Sequence, residues 1–318
     1  MSKYSRQEKV IGTKAQKRLQ KSKALIVGMG ALGTVAASLL ARAGIKELIL
    51  IDRDVVEESN LPRQLLYTET DVGKSKAFCA KEKLEQINSQ LRITALALHL
   101  NPQNIANLKE QNLSLILDCT DNLKTKLLLN DFCKKEKIPF IYGSAIKQQG
   151  QVMAIFPGGP CLSCFLKEAH AETCEQIGVL NTITSLVGTL QADLALKILI
   201  GQKQPSELYC LNLEKNSCRK LTVNTNPLCP ACQGRYDYLN STENAVFIKF
   251  CSSGKYQIDG RPLNLEELNQ KLRGTVTTYF DGASLKIEKM LVFADGRALI
   301  AADSEQEAQA IYSKYVGN

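Results

Sequence analysis

Several features that define other protein classes are absent from this sequence of 318 residues. It contains no tryptophan and only two histidines, and no apolar run approaches the ~20 residues needed to cross a bilayer. The opening stretch, MSKYSRQEKV, lacks the apolar core that secretion signals carry. We therefore expect a cytoplasmic protein without a membrane partner. Its 44% hydrophobic and 23% charged residues are typical of a globular chain.

The net charge of +8 is concentrated at the N-terminus. Residues 1–23 contain eight basic side chains and the single acid Glu8, so they hold +7 of that charge. We predict a basic helical segment here, whose charges either face solvent or contact an acidic partner or phosphate. Few aromatic residues accompany these charges and no nucleic-acid motif is present, so we expect no nucleic-acid partner.

From residue 24 onward, short apolar runs alternate with helical patterns, which is typical of βαβ units and a parallel sheet. We predict an α/β fold over residues 24–240, with a Rossmann-like, largely parallel sheet and helices on both faces. A long apolar pattern at 182–200 predicts a buried helix, either in the core or at a dimer interface. The predicted strands are 24–28, 47–52, 91–98, 114–119, 138–142, 150–156, 207–212 and 218–223, and the other predicted helices are 31–43, 74–88 and 122–136.

A polar stretch at residues 236–244 predicts a boundary before a second domain. Residues 245–318 are predicted to form a small α+β domain with a closing helix at 304–315. Asp295-Gly296 lies between two apolar runs and is typical of a hairpin turn. We find no catalytic pattern in this part of the sequence, and its role stays open.

A glycine-rich loop follows the first predicted strand. Gly28, Gly30 and Gly33 form a G-x-G-x-x-G pattern between a strand and a helix, where glycine lets the backbone approach a phosphate near unpaired helix N–H groups. Asp52 ends the next strand, 19 residues beyond Gly33, where an acid binds ribose hydroxyls. The pattern predicts a nucleotide site without specifying the nucleotide.

Charged residues further along favour a triphosphate over NAD. Asn60, Arg63 and Lys76 offer an amide and two cations, which suit a triphosphate better than a pyrophosphate already neutralised by helix amides. Asp121 follows the strand at 114–119, at the sheet edge where ligands bind in open α/β folds. A carboxylate facing a phosphate site is a natural Mg²⁺ ligand. Each residue alone is also compatible with a surface charge or a turn.

The chain has 11 cysteines, and four of them form two C-x-x-C pairs. Cys161, Cys164, Cys229 and Cys232 offer four thiolates, which predicts a closed tetrahedral Zn²⁺ site with a structural role. Buried free thiols or redox pairs are the alternatives. Six further cysteines lie in apolar patterns and are predicted to pack in the core, namely Cys79, Cys119, Cys133, Cys210, Cys218 and Cys251.

The segments KYSRQ, GMGALG, IDRD, SNLPRQ and DCTDN, with the two C-x-x-C pairs, form an ordered set across residues 3–235. This set resembles the ThiF/MoeB/HesA adenylyltransferases, which are bacterial relatives of ubiquitin-activating enzymes. The resemblance implies a reaction in which ATP and a protein C-terminal carboxylate give an acyl-adenylate and pyrophosphate. One departure from the family pattern is Ala31, where many members have glycine.

The resemblance also implies roles for individual residues. Asp52 would hold the ATP ribose, Asp121 would bind Mg²⁺, and Arg6 would enter the ATP site of a partner subunit. The implied nucleotide-binding set is Gly28, Gly30, Ala31, Gly33, Asp52, Asp54, Ser59, Asn60, Leu61, Pro62, Arg63, Gln64, Lys76, Asp121 and Asn122. The implied catalytic set is Arg6, Arg63, Lys76, Asp121 and Cys174. Cys174 matches a loop cysteine that links covalently to the carrier in some members, although Glu172 and Glu175 beside it would raise its pKa; the alternative is a bystander thiol.

The implied partner is a small ubiquitin-like sulfur-carrier protein that ends in Gly-Gly, of the thiamin or molybdopterin type. The resemblance further implies a homodimer. Residues 245–318 are too few for a rhodanese domain, so we expect a separate sulfur donor. Two other hypotheses stay open at this point: an NAD-dependent oxidoreductase that uses the same glycine loop, and a scaffold that binds a carrier without adenylylating it.

Overall fold

The computed structural model describes residues 2–166, 177–241, 247–250, 255–282 and 284–317. The chain divides into two compact units, Met1–Ser241 and Thr242–Asn318. The first unit contains helices α1 (Ser5–Ile11), α2 (Thr13–Leu19), α3 (Ala31–Ala43), α4 (Lys76–Ile87), α5 (Leu123–Glu136) and α6 (Asn181–Leu199). Its strands are β1 (Lys23–Val27), β2 (Glu47–Ile51), β3 (Arg92–Leu96), β4 (Leu115–Asp118), β5 (Phe140–Ile146), β6 (Gln149–Ile155), β7 (Glu207–Asn212) and β8 (Ser217–Thr222).

The eight strands of the first unit form one sheet in the order β3-β2-β1-β4-β5-β6-β7-β8. Strands β3 to β5 in this order pair in parallel, and β6, β7 and β8 extend the sheet as antiparallel neighbours. The chain order reverses direction beside β1, where β2 lies on one side and β4 on the other. The carboxyl ends of β1, β2 and β4 therefore meet at one edge of the sheet, where ligands bind in this class of fold.

Both faces of the sheet are covered, as predicted. Along β1, Ala24 and Ile26 pack into a core cluster that includes α3, α4 and α6, whereas Leu25 and Val27 pack against α5 on the other face. A strand buried on both faces needs apolar residues at every position, which explains the unbroken apolar run. The edge strand β3 instead alternates, with Ile93 buried between exposed Arg92 and Thr94.

Helix α6 is apolar for a reason other than membrane insertion. It is the one helix in the described ranges that is long and apolar enough to span a bilayer, with half of its most apolar window buried. It packs on α3 and on strands β5 and β6. Gly188 permits that approach, because a Cβ there would lie 2.8 Å from the Leu32 carbonyl oxygen on α3. The packing is that of a core helix.

The second unit is a small α+β structure. Its strands are β9 (Phe247–Phe250), β10 (Lys255–Asp259), β11 (Thr278–Phe280), β12 (Ser284–Ile287), β13 (Met290–Phe293) and β14 (Arg297–Ala301), with helices α7 (Leu265–Leu272) and α8 (Glu305–Tyr315). The sheet is antiparallel in the order β11-β12-β13-β14-β10-β9. The predicted hairpin turn between β13 and β14 is confirmed, and Gly296 adopts a φ of 88° there.

Candidate nucleotide site and cysteine cluster

The glycine loop between β1 and α3 is held tightly at two of its three glycines. Gly28 has a φ of 91°, and a Cβ on it would lie 2.6 Å from the Cys119 carbonyl oxygen. A Cβ on Gly33 would overlap the Gly28 carbonyl. Around Gly30 the nearest atom to an added Cβ is 3.8 Å away, on the Gln64 side chain. Gly28 and Gly33 are therefore required by packing, whereas Gly30 faces open space that a ligand can use.

This difference gives a matched pair of variants. We expect Gly33→Ala to lower the free energy of unfolding by about 1–3 kcal/mol, because the methyl group has no room beside the Gly28 carbonyl. Gly30→Ala should fold with a Tm within about 2 °C of wild type. It should nevertheless bind ATP at least about tenfold more weakly, because the methyl group occupies the space for a phosphate. Thermal unfolding and calorimetric ATP titration measure the two effects; equal Tm losses would contradict this assignment.

Asp52 follows β2 and is already fixed by the backbone. Its carboxylate accepts hydrogen bonds from the Met29 N–H, at 2.6 Å, and from the Asp54 N–H, at 2.7 Å. Burial raises the pKa of the Asp52 carboxyl to about 6, against the opposing effect of the Lys76 ammonium. The same carboxylate thus connects the glycine loop to the end of β2, where a nucleotide ribose would lie.

The ammonium of Lys76 is influenced by three carboxylates of the predicted site, at the edge of the sheet. Lys76 begins α4, is 7% exposed, and its Nζ lies 3.4 Å from Asp54 Oδ2. Burial alone would lower the pKa of this ammonium, but Asp54, Asp52 and Asp121 outweigh burial and raise the pKa. Lys76 therefore contacts Asp54 and also feels the charges of Asp52 and Asp121, which favour its ammonium form.

The loop after β2 carries the SNLPRQ residues. Asn60 is buried and its Oδ1 accepts the Glu57 N–H, so it closes a short 3₁₀ turn, Glu58–Asn60. Arg63 is half-buried and donates to the Ser59 carbonyl at 2.7 Å. Gln64 is 4% exposed and its Oε1 has no hydrogen-bond partner in the described ranges. An unsatisfied buried acceptor beside the open space at Gly30 is available to a ligand.

The loop that carries Asp121 is held by a buried ion pair between Lys126 and Asp118, which the sequence did not predict. Lys126 Nζ lies 2.9 Å from Asp118 Oδ2 and also donates to the carbonyls of Thr120 and Gly143. Asp118 Oδ1 in turn accepts from the N–H and hydroxyl of Thr120. The loop that presents the exposed Asp121 is thereby tied to the sheet. The available signal was Asp118 itself, a charged residue at the end of an otherwise apolar strand.

Asn122 has a structural partner of its own. Its Oδ1 accepts the Thr125 N–H at 2.8 Å, which caps the N-terminus of α5. Ala31 begins α3 and is partly exposed beside the glycine loop. Ser59, Leu61 and Pro62 lie on the same loop as Arg63, and the Pro62 carbonyl accepts from Asn181 at the start of α6.

The N-terminal segment docks on its own domain but leaves Arg6 outside. Tyr4 is 7% exposed and packs at Gly44, where a Cβ would lie 2.5 Å from the ring. Gln7 and Gln16 both donate to the Ala43 carbonyl at the end of α3. Arg6 on α1 is exposed and has no hydrogen bond or ion pair within the described part of this protomer. The sequence did not reveal that the neighbours of Arg6 act as anchors.

The four predicted zinc ligands meet in space. Their Sγ atoms all lie within 4.8 Å of one another. Cys161 Sγ is 3.5 Å from Cys229 Sγ and 3.9 Å from Cys164 Sγ, and Cys164 Sγ is 3.5 Å from Cys232 Sγ. Zn–S bonds of 2.3 Å in a tetrahedron require S···S separations of about 3.8 Å. The donor set and its spacing fit Zn²⁺, with no position left open for a substrate.

Helix α5 supports this cysteine cluster from one side. The Asn130 side chain accepts the Leu162 N–H at 2.8 Å and lies 3.7 Å from Cys161 Sγ. The next residue, Asp131, accepts the Tyr238 N–H at 3.0 Å, beyond the second cysteine pair. Outer contacts of this kind orient the thiolates for a metal.

The cysteines outside the four-cysteine cluster differ in how far the structure agrees with their predictions. Cys218 is exposed, so its prediction as a core residue is wrong; it lies on the edge strand β8, where the apolar pattern does not correspond to burial. Cys79, Cys119 and Cys133 are buried as predicted, whereas Cys210 on β7 is only partly buried, where it packs against the edge of the core. Cys174 and Cys251 lie outside the described residues.

Together, these features define an α/β domain with a glycine-rich loop of the kind that binds nucleotides and a four-cysteine cluster that could hold a metal ion. The ThiF family matches residues 4–231 of the chain. The chain belongs to the ThiF family.

Relatives extend this assignment. The chain is 36% identical to the sulfur carrier protein ThiS adenylyltransferase of Bacillus subtilis over 99% of both chains. It is also 36% identical to the molybdopterin-synthase adenylyltransferase of Escherichia coli, over 68% of this chain and 89% of the relative. A crystal structure of E. coli MccB with ATP is 23% identical, with a TM-score of 0.64 over 73% of each chain, and shares the fold.

Proposed function

We propose that this protein uses ATP to adenylylate the C-terminal glycine carboxylate of a small sulfur-carrier protein and releases pyrophosphate. The observation that supports this most strongly is the convergence of Lys76, Asp52, Asp54 and Asp121 beside an open glycine loop. The relatives named as sulfur-carrier adenylyltransferases support the same class of substrate. An oxidoreductase would leave the Lys76 cluster and the SNLPRQ loop without a role.

The chemistry needs charge neutralisation rather than a base. An oxygen of the carrier carboxylate bonds to the α-phosphorus, and the bond from that phosphorus to the bridging oxygen breaks, so pyrophosphate leaves with the electron pair. No proton moves, because the nucleophile is already an anion. Lys76 and Arg63 would bind the phosphates, and Asp52 would hold the ribose. Fixed cations at these positions stabilise the charge that develops on the phosphate oxygens.

The chain offers one candidate site for Mg²⁺ and a separate candidate site for Zn²⁺. Asp121 is an exposed carboxylate within the electrostatic field of Lys76, and it would hold Mg²⁺ against the phosphates. Mg²⁺ supplies further neutralisation of phosphate charge when bound. The four-cysteine cluster would hold Zn²⁺ as a structural ion that joins the two distant C-x-x-C segments.

The identity of the carrier is tested by measuring ATP–pyrophosphate exchange in the presence of candidate proteins that end in Gly-Gly. A ThiS-type carrier is the first choice, because the relative named for ThiS aligns over 99% of both chains. A molybdopterin-type carrier is the comparison. We expect exchange that depends on the carrier and is lost when its last glycine is removed. If no carrier produces exchange while the protein binds NAD and not ATP·Mg²⁺, the proposed activity is wrong.

We further propose a homodimer in which Arg6 of one subunit completes the ATP site of the other. The support is the exposure of Arg6 on an arm whose neighbours are anchored to its own domain. We place the enzyme in the cytoplasm with a separate sulfur donor, and Cys174 remains a proposed linking thiol.

The shared site predicts complementation between inactive subunits. We expect Arg6→Ala and Lys76→Met homodimers each to lose most exchange activity. Mixing them should restore up to about a quarter of wild-type activity, because half of the dimers are then mixed and each contains one intact site. Arg18→Ala is a matched control, since Arg18 donates to the Ile200 carbonyl within its own domain. Absence of recovery after verified subunit exchange would show that Arg6 acts in its own subunit or not at all.

A further inference from the structure

Tyr67 lies behind the candidate nucleotide site, and none of the roles proposed above involves it. Its side chain is 5% exposed. The hydroxyl oxygen lies 2.8 Å from the Met29 carbonyl oxygen and 3.0 Å from the Lys76 carbonyl oxygen. Met29 belongs to the glycine loop, and Lys76 begins α4. The single hydroxyl proton is shared between these two carbonyls, so one buried hydroxyl bridges the two elements that would bind the phosphates.

The Met29 peptide is fixed from both sides. Its N–H donates to Asp52 Oδ2 at 2.6 Å, and its carbonyl accepts from Tyr67. Met29 itself is fully buried between Gly28 and Gly30. Within the described ranges, the Tyr67 hydroxyl is the donor to this carbonyl, and a buried carbonyl that loses its donor is destabilised. The orientation of the glycine loop therefore depends on the Tyr67 hydroxyl.

The Lys76 main chain is fixed in a similar way. Its N–H donates to the Asp54 carbonyl at 3.0 Å, and its own carbonyl lies beside the Tyr67 hydroxyl. Its ammonium lies 3.4 Å from Asp54 Oδ2. Asp54 thus holds the ammonium close to the end of β2, and Tyr67 fixes the main chain from which the Lys76 side chain extends relative to the glycine loop.

We propose that Tyr67 is a positioning residue whose hydroxyl holds the glycine loop and Lys76 at a fixed separation, so that both meet the same triphosphate. This inference rests on the proposed function. Tyr67 acts through Met29 and Lys76 and does not contact the nucleotide. Burial raises the pKa of the Tyr67 hydroxyl well above its usual value, with nearby carboxylates adding to the effect, so the group remains a donor at neutral pH.

The test removes the hydroxyl and keeps the ring. We expect Tyr67→Phe to raise the Kd for ATP·Mg²⁺ about tenfold, as measured by isothermal titration calorimetry without a carrier. The matched control is Tyr312→Phe, which removes a buried hydroxyl that lies 3.3 Å from the Gly296 carbonyl in the second unit. That variant should bind ATP as wild type does. Both are compared at a temperature where circular dichroism shows them folded.

A double variant separates positioning from general loosening. Because part of the effect of the hydroxyl passes through Lys76 and part through the glycine loop, adding Tyr67→Phe to Lys76→Met should weaken ATP binding by clearly less than the roughly tenfold expected for Tyr67→Phe alone. Unchanged affinity in Tyr67→Phe, an equal loss in Tyr312→Phe, or full multiplication of the two single losses would overturn the inference. Because ATP binding needs no carrier, absence of pyrophosphate exchange in the wild type would count against the proposed function alone.

Discussion

Replacing Lys76 with methionine is expected to lower carrier-dependent ATP–pyrophosphate exchange by about 10²–10³-fold, the range for removing one preorganised charge from a buried site. Lys76 is the buried cation of the cluster with Asp52, Asp54 and Asp121. Methionine approximates the length of the side chain but cannot neutralise phosphate. The effect should appear both in ATP·Mg²⁺ affinity and in kcat, since Lys76 would meet the bound triphosphate and the charge on the phosphate oxygens grows further during attack.

The control for this variant lies on the same helix. Lys81 is partly exposed and pairs with Glu85 one turn further along, at 3.9 Å. Lys81→Met makes the same chemical change away from the carboxylates and should retain exchange within about a factor of two, because exposed pairs of this kind contribute little. Exchange in Lys76→Met within threefold of Lys81→Met would remove Lys76 from the mechanism.

The same variant should show a characteristic pH dependence of stability. The folded-state pKa of Asp52 is already about 6, above its ordinary value, and the loss of the Lys76 ammonium should raise it further. A carboxyl whose folded pKa is raised contributes stability at low pH that is lost as pH rises from about 4 through the folded pKa. The Tm deficit of Lys76→Met should therefore be larger at pH 8 than at pH 5.

Replacing Cys229 with serine is expected to remove the bound zinc and lower the Tm of the first unit by more than about 10 °C. Four thiolates at these separations make a closed site whose metal stabilises the folded state directly. A loss of ~4 kcal/mol corresponds to a Tm change of this size in a domain of 150–250 residues. Metal content by plasma emission spectrometry and thermal unfolding measure the two consequences together.

Cys218→Ser is the matched control for the zinc prediction. Cys218 is exposed on β8 and belongs to no thiolate group in the described ranges. This variant should keep one zinc ion per chain and a Tm within about 2 °C of wild type. Wild-type protein without zinc would show that the cluster is a set of free thiols. Cys229→Ser with full zinc and unchanged Tm would show that the metal does not depend on this cluster.

The sequence predicted those parts of the fold that repeat a local pattern. Strand β1 and helix α3 were predictable because an unbroken apolar run and a largely apolar helix flank a glycine loop whose spacing is stereotyped. The strands β6, β7 and β8 were predicted as strands, but their antiparallel direction depends on tertiary pairing that no local pattern encodes.

The residues of the candidate site also divide into those that a local motif predicts and those that only tertiary contacts reveal. Asp52, Lys76 and Asp121 were found because their positions at strand and helix ends are fixed by motif spacing. Tyr67 and Lys126 were not found, since a tyrosine among loop residues and a lysine inside a helix look like ordinary side chains until distant carbonyls meet them. Arg6 and Cys174 remain predictions, because Arg6 has no hydrogen bond or ion pair within the described residues and Cys174 lies outside them.

The buried Lys126–Asp118 pair affects which side chains would lose conformational entropy when a nucleotide binds. Lys126 already makes three hydrogen bonds, so the loop that presents Asp121 is ordered before any ligand arrives. Within the described ranges Arg63, by contrast, makes a single hydrogen bond, to a backbone carbonyl on its own loop. Ordering a long side chain costs about 0.5–1.5 kcal/mol on association. In the proposed complex, the side of the site that carries Asp121 would therefore serve as a fixed template, and the adjustment to the triphosphate would fall on Arg63.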